Sequence, residues 1–446
     1  MNIFRMSRRA FLVLGAALLG ATGTFAPTQA SNPIPIVFVH GNGDTAALWQ
    51  VIMWRFESNS YPRNRLFAID LANPSARTEN SIPEPGKSST EDVKNQLADF
   101  VAQVRQFTGA PKVALVGNSR GANTIRNYVK NGGGASEVSI VVLGGGVNHG
   151  VFNNPALLPD SEFNGASAFM RQLNAGPNEV VAGVKFYTLR SDYFDKYAQP
   201  DGRFLGLPGV PTGISYNGPA LKGALRNVVL PGVDHREAAY APQAFAYTYQ
   251  FITGRNPSTV AIRPEKRSIL GGRITGLTAG AYNNLGVSGA RLAIYRVSPA
   301  TGARVGGPVY VKTTGANGAW GPFSADPNAY YEFEVRVSGQ PITHIYRSPF
   351  PRSSFVQHLR PAETVTNPRD GSVVILSRPR GYFDVDDTLT FDGRRPAIST
   401  DPVPNESTAT IRVPFAQTSH KARYQGEVIG LRNWPEGHVA IAEFTY

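Results

Sequence analysis

Val113-Ala114-Leu115-Val116-Gly117-Asn118-Ser119-Arg120-Gly121 joins an apolar run to a stretch with helical periodicity, Gly121–Lys130. Four consecutive apolar residues read as a strand buried on both faces. A serine flanked by glycines two positions before and two after suits a sharp strand-to-helix turn. Side chains at those two positions would collide with neighbouring backbone, and glycine has none. Such a turn lifts the Ser119 hydroxyl above the sheet and aims a helix N-terminus at the same place. The pattern marks Ser119 as a candidate nucleophile. The plain alternative is an ordinary turn with a capping serine.

A serine hydroxyl needs a base to take its proton. Three histidines, His40, His149 and His235, precede the change of texture near residue 255. His40 and His149 sit on loops of their own. His235, in Leu230-Pro231-Gly232-Val233-Asp234-His235, follows the last apolar run of this half and precedes its last helical stretch, which makes it the candidate base. The acid that orients such a base belongs after the preceding strand, in Arg190-Ser191-Asp192-Tyr193-Phe194-Asp195-Lys196-Tyr197. Asp195 is favoured because Tyr197 and Pro200 follow it. Asp192 is the alternative acid or a loop brace, and Asp201 and Asp234 rank lower. Ile36–His40 runs into the turn Gly41-Asn42-Gly43-Asp44. Two backbone N–H groups are needed to hold an oxyanion. The expected pair is Asn42 and Arg120, with His40 orienting the first loop.

Outward from this centre, Ser89–Thr108 reads as a helix, with Thr90 a possible cap and Val93, Leu97, Phe100, Val101 and Val104 at helical spacing. Lys112–Val116, Val138–Leu143, Val184–Leu189 and Asn227–Leu230 read as strands, and Ala241–Ile252 as a closing helix. Alternation of this kind implies an α/β fold with a mostly parallel sheet covered on both faces. Past Gly254-Arg255-Asn256-Pro257-Ser258 helical periodicity nearly vanishes, and Arg291–Val297, Val309–Thr313, Tyr330–Val337 and Val373–Leu376 read as strands between turn residues. The expected organisation is a segment over 1–30, a catalytic domain over 31–255, a β-sandwich over 256–350 and a second β-rich domain over 351–446. Between Gly146 and Val184 lies an apolar-rich insertion, readable as a lid or as a helix packed on the sheet.

Ser7-Arg8-Arg9-Ala10-Phe11-Leu12, the apolar run that follows and Thr28-Gln29-Ala30 match a twin-arginine export signal, so a periplasmic or extracellular place is expected. The 446-residue chain has no cysteine, which excludes disulfides, thiolate metal sites and a cysteine nucleophile. Its formal charge is +12, of which three arginines fall before residue 31. The basic residues are scattered without a Lys/Arg-rich cluster. They read as a solvated surface and not as a nucleic-acid footprint.

Val39-His40-Gly41-Asn42-Gly43, the turn around Ser119, Gly146-Val147-Asn148-His149-Gly150, the Asp195 loop and Gly232-Val233-Asp234-His235 together resemble the α/β-hydrolase lipases over roughly residues 33–253. Asn118 and Arg120 beside the serine depart from the commoner lipase residues. The resemblance implies ester hydrolysis through an acyl-enzyme, with Ser119, Asp195 and His235 as triad and no cofactor. The expected partner is a hydrophobic ester, lipid or polyester, with adsorption to a lipid interface or polymer. The His-Gly-Asn-Gly-Asp opening also resembles extracellular polyhydroxyalkanoate depolymerases, for which Trp320, Tyr330 and Tyr331 would offer an adsorption surface or else core packing. A non-catalytic envelope or binding protein on the same scaffold is the reading of another class.

Overall fold

The apolar runs of the first half assemble side by side. In the computed structural model, which describes residues 32–363 and 371–446, β1 (Ile36–Val39), β2 (Leu66–Ile69), β5 (Val113–Asn118), β6 (Val138–Gly144), β7 (Lys185–Ser191) and β8 (Arg226–Leu230) form one sheet. Its order is β2-β1-β5-β6-β7-β8, and every neighbouring pair is parallel. The short β3 (Ser75–Ala76) and β4 (Lys87–Ser88) pair with each other to one side. The twin-arginine segment expected at 1–30 lies outside the described residues.

Parallel strands require helical crossovers, and these cover both faces. α2 (Thr90–Thr108) and α3 (Arg120–Asn131) bury Val93, Leu97, Val101, Ile125 and Val129 against Val37, Val39, Leu115, Val141 and Leu143. α1 (Gln50–Ser58) and α6 (Pro242–Thr253) bury Val51, Phe56 and Phe245 against Ile36, Phe38, Val116 and Val142 on the other face. α1 and β2 lie outside the set expected from periodicity. Ser89, and not Thr90, caps α2: its hydroxyl accepts the Asp92 N–H (3.1 Å), and Asp92 accepts the Ser89 N–H in return (2.8 Å). The insertion after β6 contains α4 (Ala168–Leu173), which buries Met170 and Leu173. Arg126 and Lys130 of α3 hold its carbonyls, so the insertion is anchored to the sheet's helical layer. A short α5 (Glu237–Tyr240) precedes α6.

The second half is all β. β9 (Ser268–Arg273), β10 (Thr275–Thr278), β11 (Ala281–Gly286), β12 (Arg291–Val297), β13 (Tyr310–Thr313), β14 (Ala319–Ala325), β15 (Tyr330–Arg336) and β16 (Ile342–Arg347) are followed by β17 (Ser372–Ser377), β18 (Leu389–Phe391), β19 (Thr408–Val413), β20 (Ser419–Tyr424), β21 (Glu427–Arg432) and β22 (His438–Glu443). The division expected at 350/351 does not separate two sheets. The chain's last strand, β22, inserts in parallel between β16 and β17, giving one seven-stranded sheet, β13-β12-β15-β16-β22-β17-β19. The β9–β14 pair packs on one half of it through Leu270, Trp320 and Phe323, and the β18-β20-β21 sheet on the other through Phe391, Tyr424 and Leu431. Hydrophobic pattern marks strands but not their partners, which is why the shared sheet escapes the sequence. Trp320 and Tyr331 are buried in this core, and Tyr330 packs at the edge of the second cluster, so core packing decides between the two readings of those rings.

Ile34–Tyr446 is a single compact unit. Trp54 and Phe56 of α1 share one apolar cluster with Leu270, Phe323 and Phe350, and the Trp54 indole donates to the Ser353 carbonyl (2.9 Å). Asp70, at the end of β2, accepts from the Ala46 N–H (2.9 Å) and contacts His358 Nε2 (2.7 Å), so it ties the first sheet to the β-region. Burial alone would raise the Asp70 pKa, but His358 and the Ala46 amide outweigh it and hold the carboxyl at about 2. A depressed carboxylate stabilises the fold above its unfolded pKa and loses that contribution as pH falls through the folded one. Asp70→Asn is therefore expected to cost roughly 2 kcal/mol at pH 6 and to converge on the parent as pH falls from 4 toward 2, read from urea midpoints along a pH series. Parallel pH curves for the two proteins would remove Asp70 from the linkage.

Candidate active site

The loops that leave the C-terminal ends of β1, β5, β7 and β8 carry all the expected site residues, the usual place for a site on a parallel sheet. Ser119 follows β5 with φ 55 and ψ −126, a left-handed conformation that a serine adopts only under constraint. The constraint is close packing of α3 on its neighbours. A Cβ on Gly121 would lie 2.6 Å from the His40 carbonyl oxygen and closer still to that of Val39, and one on Gly117 would meet the Ile125 side chain at 2.6 Å. Asn118, buried beside the serine, donates to the Gly144 (2.8 Å) and His235 (3.0 Å) carbonyls, so the β5 turn is tied directly to the histidine loop.

His235 is buried, and its Nδ1 faces both oxygens of Asp195, at 2.8 and 2.9 Å. Asp195 also accepts the Tyr197 N–H (2.8 Å) and caps a short helical turn, which fixes its carboxylate. A carboxylate on Nδ1 places the ring proton there and leaves Nε2 as the acceptor. That Nε2 is buried and has no hydrogen-bond partner among the described residues. The Tyr197 ring lies edge-on to the imidazole at 4.6 Å. Asp192 faces elsewhere. It accepts the Tyr193 N–H (2.7 Å) and the Gly232 N–H (3.2 Å), so it braces its own loop against the histidine loop. Asp234 points away from the imidazole and accepts the Arg236 (2.7 Å) and Glu237 (2.8 Å) N–H groups. His149 contacts the Gly218 carbonyl and Glu179.

Asn42 lies in the turn after β1. Gly41 beside it comes so near the serine that a Cβ there would be 2.8 Å from Ser119 Cβ. The Asn42 side chain accepts the Ala76 N–H (2.7 Å), and the Gly43 N–H donates to the Pro74 carbonyl (3.2 Å). Arg120 opens α3, so its N–H has no carbonyl one turn back to bond. Its side chain is fully buried and pairs with the equally enclosed Glu162 (2.7 Å), and it also donates to the Pro74 carbonyl (2.9 Å) and to Ser88 (2.8 and 2.9 Å). The 74–76 segment is thus held between Arg120 and the Asn42 turn.

Several neighbours carry no signal in the sequence. Arg236, next to His235, pairs with Asp44 (2.8 Å), joining the histidine loop to the β1 turn. Asp44 Oδ2 and Ser119 Oγ both lie within 3.4 Å of the point that a Gly41 Cβ would take. Burial beneath the Tyr382 ring, with Arg236 nearby, pulls the Lys196 ammonium down to about 8. A cavity of about 500 Å³ adjoins Gly43–Thr45 and Arg236, floored by Ile345, Ile375, Val439 and Ile441 of the seven-stranded sheet. Among the described residues Glu332, Glu334 and His344 have a metal-like grouping, but Arg304 pairs with both carboxylates.

The family described as Lipase (class 2) matches residues 33–198, and that described as Lipase C-terminal domain matches residues 270–364. The two matches follow one another along the chain, the class 2 lipase model over the parallel sheet and the lipase C-terminal model over the start of the β-region. The first match includes Ser119 and Asp195 and stops before His235. The second stops part-way through the seven-stranded sheet. Among solved structures, lipase B of Aspergillus fumigatus is similar at 14% identity over 52% of this chain, with a TM-score of 0.37, and the match spans 55% of that lipase. The propeptide form of the Bacillus licheniformis lipase BlEst2 is similar at 19% identity over 61% of this chain and 58% of its own, with a TM-score of 0.35. The Bacillus subtilis carboxylesterase CesB matches 50% of this chain and 85% of its own at 13% identity, with a TM-score of 0.29.

In the segment that matches the class 2 lipases, the buried Arg120–Glu162 pair joins the start of α3 to the insertion after β6. Removing one partner of a buried pair strands the other charge, at a cost of about 3–5 kcal/mol. Arg120→Met is expected to lower unfolding stability by that amount, and adding Glu162→Gln is expected to restore part of it. A double variant no more stable than Arg120→Met in denaturant titration would mean that the guanidinium acts through its carbonyl contacts instead.

Proposed function

We propose that the protein is an exported serine hydrolase that cleaves hydrophobic carboxylic esters through an acyl-enzyme. The observation that carries the reading is the Asp195 carboxylate on Nδ1 of a buried His235 whose Nε2 is left without a partner, on the loop tied by Asn118 to the strained Ser119 turn. In this reading His235 Nε2 takes the Ser119 proton as Oγ attacks the ester carbonyl. The resulting oxyanion is held by the Asn42 and Arg120 N–H groups. The imidazolium, stabilised by Asp195, returns its proton to the leaving alcohol, and water then deacylates the serine with His235 as base. No step needs a metal or cofactor.

A hydrophobic substrate agrees with the exposed Tyr193, Leu207, Val210 and Tyr216 on the loops that follow β7, which would meet a lipid interface. The class 2 lipase match favours lipid esters over the polyester alternative. Export rests on Arg8 and Arg9 and the apolar run behind them.

Ser119→Ala is expected to abolish hydrolysis of p-nitrophenyl esters and labelling by a fluorophosphonate while the circular dichroism spectrum persists. Substantial turnover by the folded variant would rule out the covalent mechanism. Asp195→Asn is expected to lower kcat by up to about 10⁴-fold by leaving His235 in the wrong tautomer, with Asp192→Asn costing far less. Equal losses from the two would remove Asp195 from its role. For export, replacing Arg8 and Arg9 by lysine is expected to leave unprocessed precursor inside the cell, seen by fractionation; normal release would exclude the twin-arginine route.

A further inference from the structure

The N–H assigned to the oxyanion belongs to the peptide between Gly41 and Asn42. In a trans peptide the C=O and N–H point in opposite directions, so whatever holds the Gly41 carbonyl aims the Asn42 N–H. His40 Nδ1 holds that carbonyl at 2.9 Å. Its Nε2 accepts the Leu71 N–H (3.1 Å), which requires the proton to be on Nδ1. Burial lowers the His40 pKa, which keeps the ring in the neutral form that can donate on one side and accept on the other.

The next peptide, between Asn42 and Gly43, is held by the Gly43 N–H on the Pro74 carbonyl (3.2 Å), and the two after it are held from the β-region. Arg360 Nη1 donates to the Gly43 carbonyl (2.9 Å), and its Nη2 lies 3.4 Å from that of Asp44. Asn284 of β11 donates to the Asp44 (2.9 Å) and Leu71 (2.9 Å) carbonyls and reaches His40 Nε2 at 3.3 Å. Its own oxygen accepts from Arg360 (3.1 Å), and its N–H bonds the Ala72 carbonyl (2.8 Å). Among the described residues Arg360 makes no ion pair with a carboxylate. Its guanidinium is directed at loop carbonyls, although burial disfavours its charge. A cation placed this way does more for backbone orientation than for charge pairing.

We infer that Arg360 and Asn284, both from the β-region, are positioning residues for the oxyanion site: with His40 they fix three of the four peptides of the turn from Gly41 to Thr45 and so aim the Asn42 N–H at the nucleophile. The β-region on this view sets the rate of the chemical step and is not only a surface for substrate. The inference rests on the serine mechanism proposed above. A bonding network that merely glues the β-region to the first half would affect how much protein is folded, but not the turnover of each folded site.

The experiment uses the full chain as Arg360→Met, Arg360→Lys and Asn284→Ala. Sites are counted by fluorophosphonate labelling run to completion, and kcat and KM for a p-nitrophenyl ester are expressed per labelled site. Inhibition by a trifluoromethyl ketone, whose serine adduct carries the oxyanion, is measured beside them. Arg360→Met and Asn284→Ala are each expected to lower kcat per site by about 10- to 100-fold, with KM within about twofold of the parent, and to weaken the ketone by a similar factor; loss of a whole oxyanion donor costs about 10²–10³. Arg360→Lys, which can reach one carbonyl, is expected to fall between. If kcat per site stays within about twofold of the parent, or if KM alone rises, the inference is overturned. Counting sites excludes unfolded protein, so a variant that folds poorly still reports, and Arg360→Lys and Asn284→Ala carry the test if Arg360→Met does not fold. A parent that fails to label at Ser119 would instead overturn the serine mechanism.

Discussion

The site is organised by the close approach of the first turn of α3 to the end of β1. Gly121 has no room for a side chain against the Val39 and His40 carbonyls, and Gly117 none against Ile125 and the Gly121 carbonyl. With both glycines in place, the backbone can turn sharply enough to leave Ser119 at positive φ. The same approach puts Gly41 against the serine and brings the β1 turn and the α3 N-terminus to one point. A strand end and a helix start that meet this closely can present two N–H groups to a single oxygen. The strain at Ser119 is balanced by the buried apolar contacts of α3 on β1, β5 and β6.

Around that point the chain uses arginine as a backbone cross-link. The basic excess read from sequence as a solvated surface is partly internal: Arg55, Arg120, Arg126, Arg378 and Arg380 are all buried. Each reaches carbonyls distant in sequence, as Arg126 does those of Asn148 and Leu173, and Arg380 that of Ala47. A guanidinium offers five donors in a plane, so one side chain can bind two or three carbonyls that no regular element satisfies. Loops rich in glycine, proline and asparagine leave many such carbonyls. In a chain without cysteine, this is how irregular segments over a sheet are tied down.

The sequence disclosed the parts of the site that depend on local order. The strand–glycine–serine–glycine–helix run, the position of His235 after the last parallel strand and Asp195 ahead of a short turn are each written within ten residues. The alternation of strands and helices was legible for the same reason. Long-range partners were not. Nothing near residue 360 indicates that its guanidinium meets Gly43, and nothing near residue 438 shows that the last strand enters the sheet between β16 and β17. Asp192 and Asp195 stand three residues apart with the same chemistry. Their separation into brace and imidazole partner follows from how the loop turns between Ser191 and Lys196, which spacing suggests but does not determine. The internal arginines escaped for a related reason: composition counts charges without showing which meet a carbonyl.

The two loops of the site are held by different physics. On the Asn42 side the contacts are hydrogen bonds to carbonyls, whose strength changes little with pH while His40 is neutral. On the histidine side Asp234 and Glu237 bracket the start of α5, each accepting the other's N–H (2.8 and 2.9 Å), and Arg378 reaches both carboxylates from the β-region, Asp234 at 3.0 Å. The Tyr382 N–H adds a further bond to Asp234 (2.6 Å). Burial, and the neighbouring Asp234 charge after it, hold the Glu237 carboxyl above the ordinary range, while Arg378 pulls the other way. A carboxyl with a raised folded pKa favours the fold at low pH and opposes it as pH rises through that value. Without Arg378, then, ionising Glu237 would set two enclosed carboxylates against each other within two residues of His235. The cation from the β-region relieves that repulsion and lets the turn that carries His235 keep both of these reciprocal hydrogen bonds in neutral solution.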